Sequence, residues 1–463
     1  MEASDDREPG SPFGPADPRT HKQRLKDLRR IYDQVGSITR QQGDDSLRTD
    51  LLRLLRERRR PREHGGLLGW LWGRPTTLAG LVQFDVVPDP QGGEVLVVPA
   101  ELLIRAEALE QEHVPPLLSA YQLRREPIRE LGGRVVRLRA RDLDGARTTE
   151  IAGALRARGV PVSVNYVAPM GIVMKGLGGP EPSSGEGPAR PPAGPGEPVH
   201  VAIIDTGTAA SQRADGWLAG LVRPDNVDPL DALPQPDGFL DLGAGHGQFV
   251  AGVVQQVAPG AKLTIYKALD SDGMGSEVAA ASAMVRAANE GARVINLSLG
   301  METLNDQPPV VFEAALDQIE QRARQTGEVL VIAAAGNFGH ARPCWPAASE
   351  RVIAVGGLTQ NLEPAEWSSR GDWVDISTMA EGVRSTYVQG REHPLIDPQP
   401  DDFPPDPWAL WTGTSFAAPQ VAGAVAEIAQ RQGVGPREAL DQLLVGGREI
   451  PNYGRAVRIL PGT

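Results

Sequence analysis

Cysteine is nearly absent. The 463 residues hold one, Cys344, so no disulfide can form within the chain. Aromatic residues are scarce at 5%. A core this poor in rings has to be built from Ala, Val, Leu and Ile, which suits α/β layers better than an aromatic-rich sandwich. No apolar run approaches the length a bilayer requires; residues 67–72 (Leu-Leu-Gly-Trp-Leu-Trp) fall far short. Residues 1–6 are acidic and carry no apolar stretch of the secretory kind, so a cytoplasmic location is expected. Basic excess is lacking as well. The formal net charge of −12 argues against a nucleic-acid partner. The charge is unevenly spread: residues 1–197 carry +2 and the remainder −14.

Composition divides the chain. Residues 1–20 read as a disordered leader rich in Pro, Gly and Asp. Residues 21–79 read as a helical region. Leu25, Leu28, Tyr32 and Val35 make one face, followed by Leu51, Leu52, Leu54 and Leu55. The basic run 56–60 reads as a solvated helix end or as a site for an anionic partner. Residues 80–177 read as a small α+β domain. Strands are expected at 95–98, 135–138 and 160–167, and helices at 100–110, 117–131 and 149–158. Residues 178–198, dominated by Pro and Gly, cannot form a core and read as a linker. From 199 to 463, short apolar runs alternate with helical stretches. That pattern predicts an α/β domain with a parallel sheet and helices on both faces, whose sites lie at the carboxyl ends of strands.

Four residues sit at such ends. Asp205 closes the strand 199–205 and precedes Thr206-Gly207. His246 opens an apolar helix within Gly245-His246-Gly247. Asn337 follows the buried run Ala333-Ala334-Ala335-Gly336. Ser415 lies in Gly413-Thr414-Ser415-Phe416-Ala417-Ala418-Pro419, a tight turn leading into a helix. Each alone has a plainer reading: a turn Asp, a structural His, a left-handed turn Asn, a helix-capping Ser. Together they offer a nucleophile, a base, an orienting acid and an oxyanion donor.

In this order, these motifs resemble the subtilisin-like serine peptidases, the subtilases. Lys267-Ala268-Leu269-Asp270, Val294-Ile295-Asn296-Leu297-Ser298-Leu299-Gly300 and Trp367-Ser368-Ser369-Arg370-Gly371 add to the likeness, which covers roughly 199–460. The resemblance implies that Ser415 attacks the scissile carbonyl, His246 moves the proton and Asp205 orients His246. It implies that Asn337 and the Ser415 N–H hold the oxyanion. It further implies that Ser298, Leu299 and Gly300 pair with an extended peptide substrate. Ala334, Ala335 and Gly336 would then wall the primary pocket, with Cys344 at its floor and open to thiol reagents. Gln248 replaces the usual Thr after the Gly-His-Gly motif, and a local packing change is expected. The helix after His246 runs on without the calcium-binding insertion of many secreted relatives. No metal or other cofactor is implied beyond, at most, weakly bound calcium at the acidic stretch 225–241, where simple solvation is the commoner reading.

Residues 80–177 resemble, more weakly, the inhibitory propeptide domain of subtilases. The expectation is that residues 166–174 lie in the cleft, that the linker lets them detach, and that the Arg residues between 124 and 158 aid docking on the acidic domain. What residues 21–75 bind is left open. The alternative for the whole chain is a catalytically silent binding protein on the same fold.

Overall fold

The computed structural model describes residues 13–59, 81–169, 179–395, 397 and 399–462. Residues 60–79 of the expected helical region and 170–174 of the expected cleft-bound tail lie outside the described residues. No described helix is long and apolar enough to cross a membrane.

The strands His200–Asp205, Val294–Leu297 and Leu330–Ala334 are buried along their whole length. Continuous apolar runs need cover on both faces, and a parallel sheet with crossover helices supplies it. They belong to an eight-stranded sheet. Its order is Arg448–Ile450, Gly454–Ala456, Ile376–Met379, Ile353–Leu358, Leu330–Ala334, Val294–Leu297, His200–Asp205, Lys262–Lys267. All pairings are parallel except that of the first two strands. Helices His246–Val257 and Ala418–Gln432 pack on each other as one pair, and Glu277–Asn289 and Val310–Thr326 as another. The chain leaves Asp205 for the strand on one side and returns to Val294–Leu297 on the other. That reversal opens a crevice at the carboxyl edge.

The α+β domain gains an unexpected strand, Asp85–Pro88, and departs from its expected helices in two places. The expected helix at 100–110 is instead the second half of a long strand, Glu94–Arg105, followed by a short 3₁₀ turn, Ala106–Glu110. A bulge between Val97 and Leu102 breaks the strand's register, and Ala100 there has φ +60°. The apolar residues Leu102, Leu103 and Ile104 are all buried, so an unbroken apolar run gave no sign of its period. The expected helix at 117–131 is a shorter one, Val114–Ala120, then the edge strand Arg124–Pro127. The sheet rests on helices Glu277–Asn289 and Val310–Thr326 through its neighbouring elements.

The helical region forms helices His21–Gln42 and Asp45–Arg59. Its first buried face is not the expected one. Leu25 and Tyr32 are exposed, while Asp27, Ile31, Gln34 and Ile38 are buried. Polar side chains take the buried face because they meet backbone: Gln34 Nε2 donates to the carbonyls of Gly179 and Leu410, and Thr412 donates to Gln34 Oε1 at 2.8 Å. The linker is not free either. Glu181–Pro182 adds a strand beside Trp408–Trp411, and the carbonyls of Pro188 and Gly194 accept from Trp217 and Gln430. Lacking a core of its own, this segment is laid along the core of the domain that follows.

Candidate active site

Asp205 ends its strand with the carboxylate fully buried. Oδ1 accepts from the Thr206 N–H and from His246 Nδ1, both at 2.7 Å. With Nδ1 donating to a carboxylate, Nε2 is left as the acceptor that a base requires. Gly245, at φ +75°, turns the chain into the helix, and the buried Asp228 fixes that turn by accepting the Gly245 N–H at 3.0 Å. A Cβ on Gly247 would lie 2.4 Å from the Gly207 carbonyl, so only glycine lets the histidine helix come this close to the aspartate. The imidazole is also held by rings: Trp411 and Phe416 each lie 5.3 Å from it, centroid to centroid.

Ser415 sits in a 3₁₀ turn, Thr414–Phe416, immediately ahead of helix Ala418–Gln432, with Pro419 in the first turn as expected. Its Oγ donates to the Ser298 carbonyl at 3.2 Å, and Ser298 Oγ donates back to the Ser415 carbonyl at 2.7 Å. Asn337 Oδ1 accepts from the Thr414 N–H and hydroxyl, each at 2.9 Å. Those two bonds fix the amide's orientation and leave Nδ2 to donate. Four distant stretches of sequence thus converge at one sheet edge.

The segment 298–300, expected to face a peptide, meets the chain's own last α+β strand. The Gly300 N–H donates to the Pro169 carbonyl at 3.1 Å. On the other side, Val162–Pro169 pairs antiparallel with Met274–Ser276, with Ala168 opposite Gly275. The end of the α+β domain's last strand therefore lies between two edges of the crevice. Pro169 stands at Gly300, two residues from Ser298, so the strand approaches Ser415 with its C-terminal end. Leu299, Ala334 and Ala335 are buried beside it, and the Gly336 N–H donates to Thr414 Oγ1 at 3.1 Å. The Cys344 sulfur lies 2.5 Å from where a Cβ on Gly300 would be and 3.0 Å from one on Gly336. It stands behind the expected pocket, but fully buried, and burial pushes its thiol far up. That opposes the expected sensitivity to thiol reagents.

Several residues here take roles that the sequence did not disclose. Asp228 and Asp241 sit in the acidic stretch expected to be solvated, yet both are buried and hold backbone N–H groups. Gln248 cross-links instead of merely filling space: it accepts from Thr208 and the Ala209 N–H and donates to the Tyr387 carbonyl. Gln42 of the first helix donates to the carbonyls of Asn337 and Trp367. Glu277 accepts the Tyr166 N–H at 3.0 Å, and burial pushes its carboxyl up to about 8. Of the basic run, Arg56, Arg58 and Arg59 do find anions, and these belong to the chain itself. Arg56 reaches Asp85, and Arg59 reaches Asp270 and Asp272. Ion pairs with the acidic domain come from Arg59, from Arg105 on Asp317 and, with the signs reversed, from Asp89 on Arg342; of the expected basic group, Arg134 donates to Gln321, whereas Arg124 and Arg125 lie on an exposed edge.

The subtilase family model matches residues 196–447, more than half of the chain. Thermitase of Thermoactinomyces vulgaris is 32% identical over 252 residues, which cover 51% of this chain and 76% of that protein. A thermophilic serine proteinase of Bacillus sp. (strain AK1) is 32% identical over 263 residues, covering 55% of this chain and 59% of that one. Fervidolysin from Fervidobacterium pennivorans, a keratinolytic enzyme related to subtilisin, superposes with a TM-score of 0.54 at 17% identity, over 78% of this chain and 60% of that one. The chain belongs to the subtilase family. Family and relatives support a subtilisin-like serine endopeptidase.

Proposed function

We propose that this chain is a serine endopeptidase with an Asp205–His246–Ser415 triad, held latent by its own N-terminal part. The observation that carries the reading is the buried 2.7 Å bond between Asp205 and His246 at the sheet edge that also presents Ser415. In the reaction, the Ser415 hydroxyl turns from the Ser298 carbonyl to His246 Nε2, which takes its proton as Oγ attacks the scissile carbonyl. The negative charge forming on the carbonyl oxygen is met by Asn337 Nδ2 and the Ser415 N–H. His246 then hands its proton to the leaving amine, and water releases the acyl group by the same route. Asp205 keeps Nδ1 protonated and supports the imidazolium throughout.

Latency is supported by the strand Val162–Pro169, which lies on Met274–Ser276 and Gly300 where an extended peptide would lie. Once cleavage has released the N-terminal part, a fluorophosphonate probe should label the wild-type chain, and it should not label Ser415→Ala. Mass spectrometry of the two purified chains should reveal self-cleavage in the wild type alone. Absence of labelling after the N-terminal part has been removed overturns the peptidase reading.

A further inference from the structure

Gln248 is this chain's departure from the motif around His246, and it is 3% exposed. Its amide is oriented by its partners. Oε1 accepts from the Thr208 hydroxyl and the Ala209 N–H, each at 3.2 Å, and Nε2 donates to the Tyr387 carbonyl at 2.8 Å. A backbone N–H on one side and a carbonyl on the other permit a single sense of the amide.

The partners come from the segments that carry the proposed triad. Thr208 and Ala209 lie on the stretch by which the chain leaves the strand ending at Asp205. Gln248 itself is in the first turn of the helix that His246 opens. Tyr387 follows the strand Val383–Thr386, which pairs antiparallel with Trp408–Trp411. That second strand runs on into the turn bearing Ser415. One buried side chain thus joins the exit from Asp205, the helix of His246 and the two-stranded ribbon ahead of Ser415.

The same ribbon is the wall on which the imidazole rests. Trp411 meets the His246 ring edge to face at 5.3 Å. The Tyr387 hydroxyl donates to the Ala244 carbonyl at 3.0 Å, just ahead of the histidine. The Ser385 and Thr386 hydroxyls donate to the carbonyls of Phe249 and Gln248, just after it. Arg213 Nη1 donates to the Tyr387 carbonyl at 2.9 Å, so the acceptor that Gln248 uses is itself held. A threonine hydroxyl ends two bonds nearer the backbone than the glutamine amide and cannot reach both sides. Loss of the amide would leave the Ala209 N–H without this acceptor in a buried place, which is costly.

The 2.7 Å bond between Asp205 and His246 joins two separate elements. Its length is set by how the helix is seated, and small errors of position at reacting groups cost large factors in rate. We propose that Gln248 is a positioning residue for the triad. Its amide seats the His246 helix between the exit from Asp205 and the ribbon ahead of Ser415, and so holds the imidazole against both. The inference rests on the peptidase reading.

Gln248→Met tests it, because methionine keeps the length of the side chain and loses its hydrogen bonds. In a Ser415→Ala background, where the chain stays uncut, proton NMR reads the low-field resonance of the His246 Nδ1 proton shared with Asp205. The resonance is expected in Ser415→Ala alone and should shift or disappear when Gln248→Met is added. With Ser415 intact and self-cleavage complete, Gln248→Met should lower kcat for peptide hydrolysis by about 10- to 100-fold and leave KM within about twofold. Gln248→Glu keeps the acceptor for Ala209 and loses the donor to Tyr387. It should fall between the two, and it takes the place of Gln248→Met if that variant fails to fold. An unchanged resonance or an unchanged kcat overturns the positioning role and leaves Gln248 as packing alone. The peptidase reading fails separately, by absence of fluorophosphonate label on Ser415 in the self-cleaved wild type. The resonance, which needs no activity, still decides in that case whether Gln248 seats the helix.

Discussion

Asn337 is held by its acceptor end, which in the proposed mechanism leaves its donor end for the oxyanion. Thr414 takes Oδ1 twice, so Nδ2 needs no reorganisation when negative charge develops beside it. Removing one such donor typically costs about 3–4 kcal/mol of transition-state stabilisation. Asn337→Ala should therefore lower kcat by about 10²- to 10³-fold with KM little changed. Steady-state kinetics check this, and a KM effect alone would reassign the residue to substrate binding. Cys344 makes the opposite case, a reactive group with its reactivity suppressed. Buried behind Gly300 and Gly336 with its thiol pushed up, it should react with an aromatic disulfide reagent only after denaturation. Stoichiometric reaction in the native protein would contradict its burial. Both residues were legible in the sequence as members of motifs. The state of the thiol was not, because burial is a property of the neighbours.

Among the elements, the first turn of helix Glu277–Asn289 carries the clearest dependence on pH. Glu277 lies beneath Tyr166 of the last α+β strand, accepting its N–H. Its carboxyl is raised from an ordinary 4.5 to about 8 by burial. The docked arrangement thus favours the protonated form. Its contribution to stability is complete below about pH 4.5 and is lost as pH rises through about 8. The thermal midpoint of the wild type should fall relative to Glu277→Gln as pH is raised from 5 to 8.5, since glutamine keeps an acceptor for Tyr166 and has no proton to lose. A difference that stays flat with pH would place Glu277 outside this linkage. Elsewhere the elements divide by how regular their patterns are. The helices opening at His246 and Pro436 and the strands ending at Asp205 and Ala334 match the periods read from sequence. The strand Glu94–Arg105 did not, because a bulge and a fully apolar second half erase its alternation. Nor did the buried face of His21–Gln42, where Asp27 and Gln34 are buried to serve backbone that arrives from residues 179–184 and 410.

On the scale of the whole molecule, the N-terminal helices, the α+β domain and the linker are all laid onto one acidic domain. The basic run at 56–60 and the acidic turn at 270–272 are each ordinary in isolation, and they neutralise one another only because more than 200 residues of chain bring them together. By itself the sequence determined the α/β class and the family, and it singled out Asp205, His246, Asn337 and Ser415 as the candidates that the proposed mechanism uses. These depend on local patterns: apolar runs with punctuating glycines, and short motifs at strand and helix ends. Tertiary structure alone decided that Cys344 is shielded, that Asp228 and Asp241 are buried supports, and that Arg59 pairs with Asp270 and Asp272. The physical reason is that desolvation and charge pairing depend on what packs against a group, and no local pattern records which distant segment that will be.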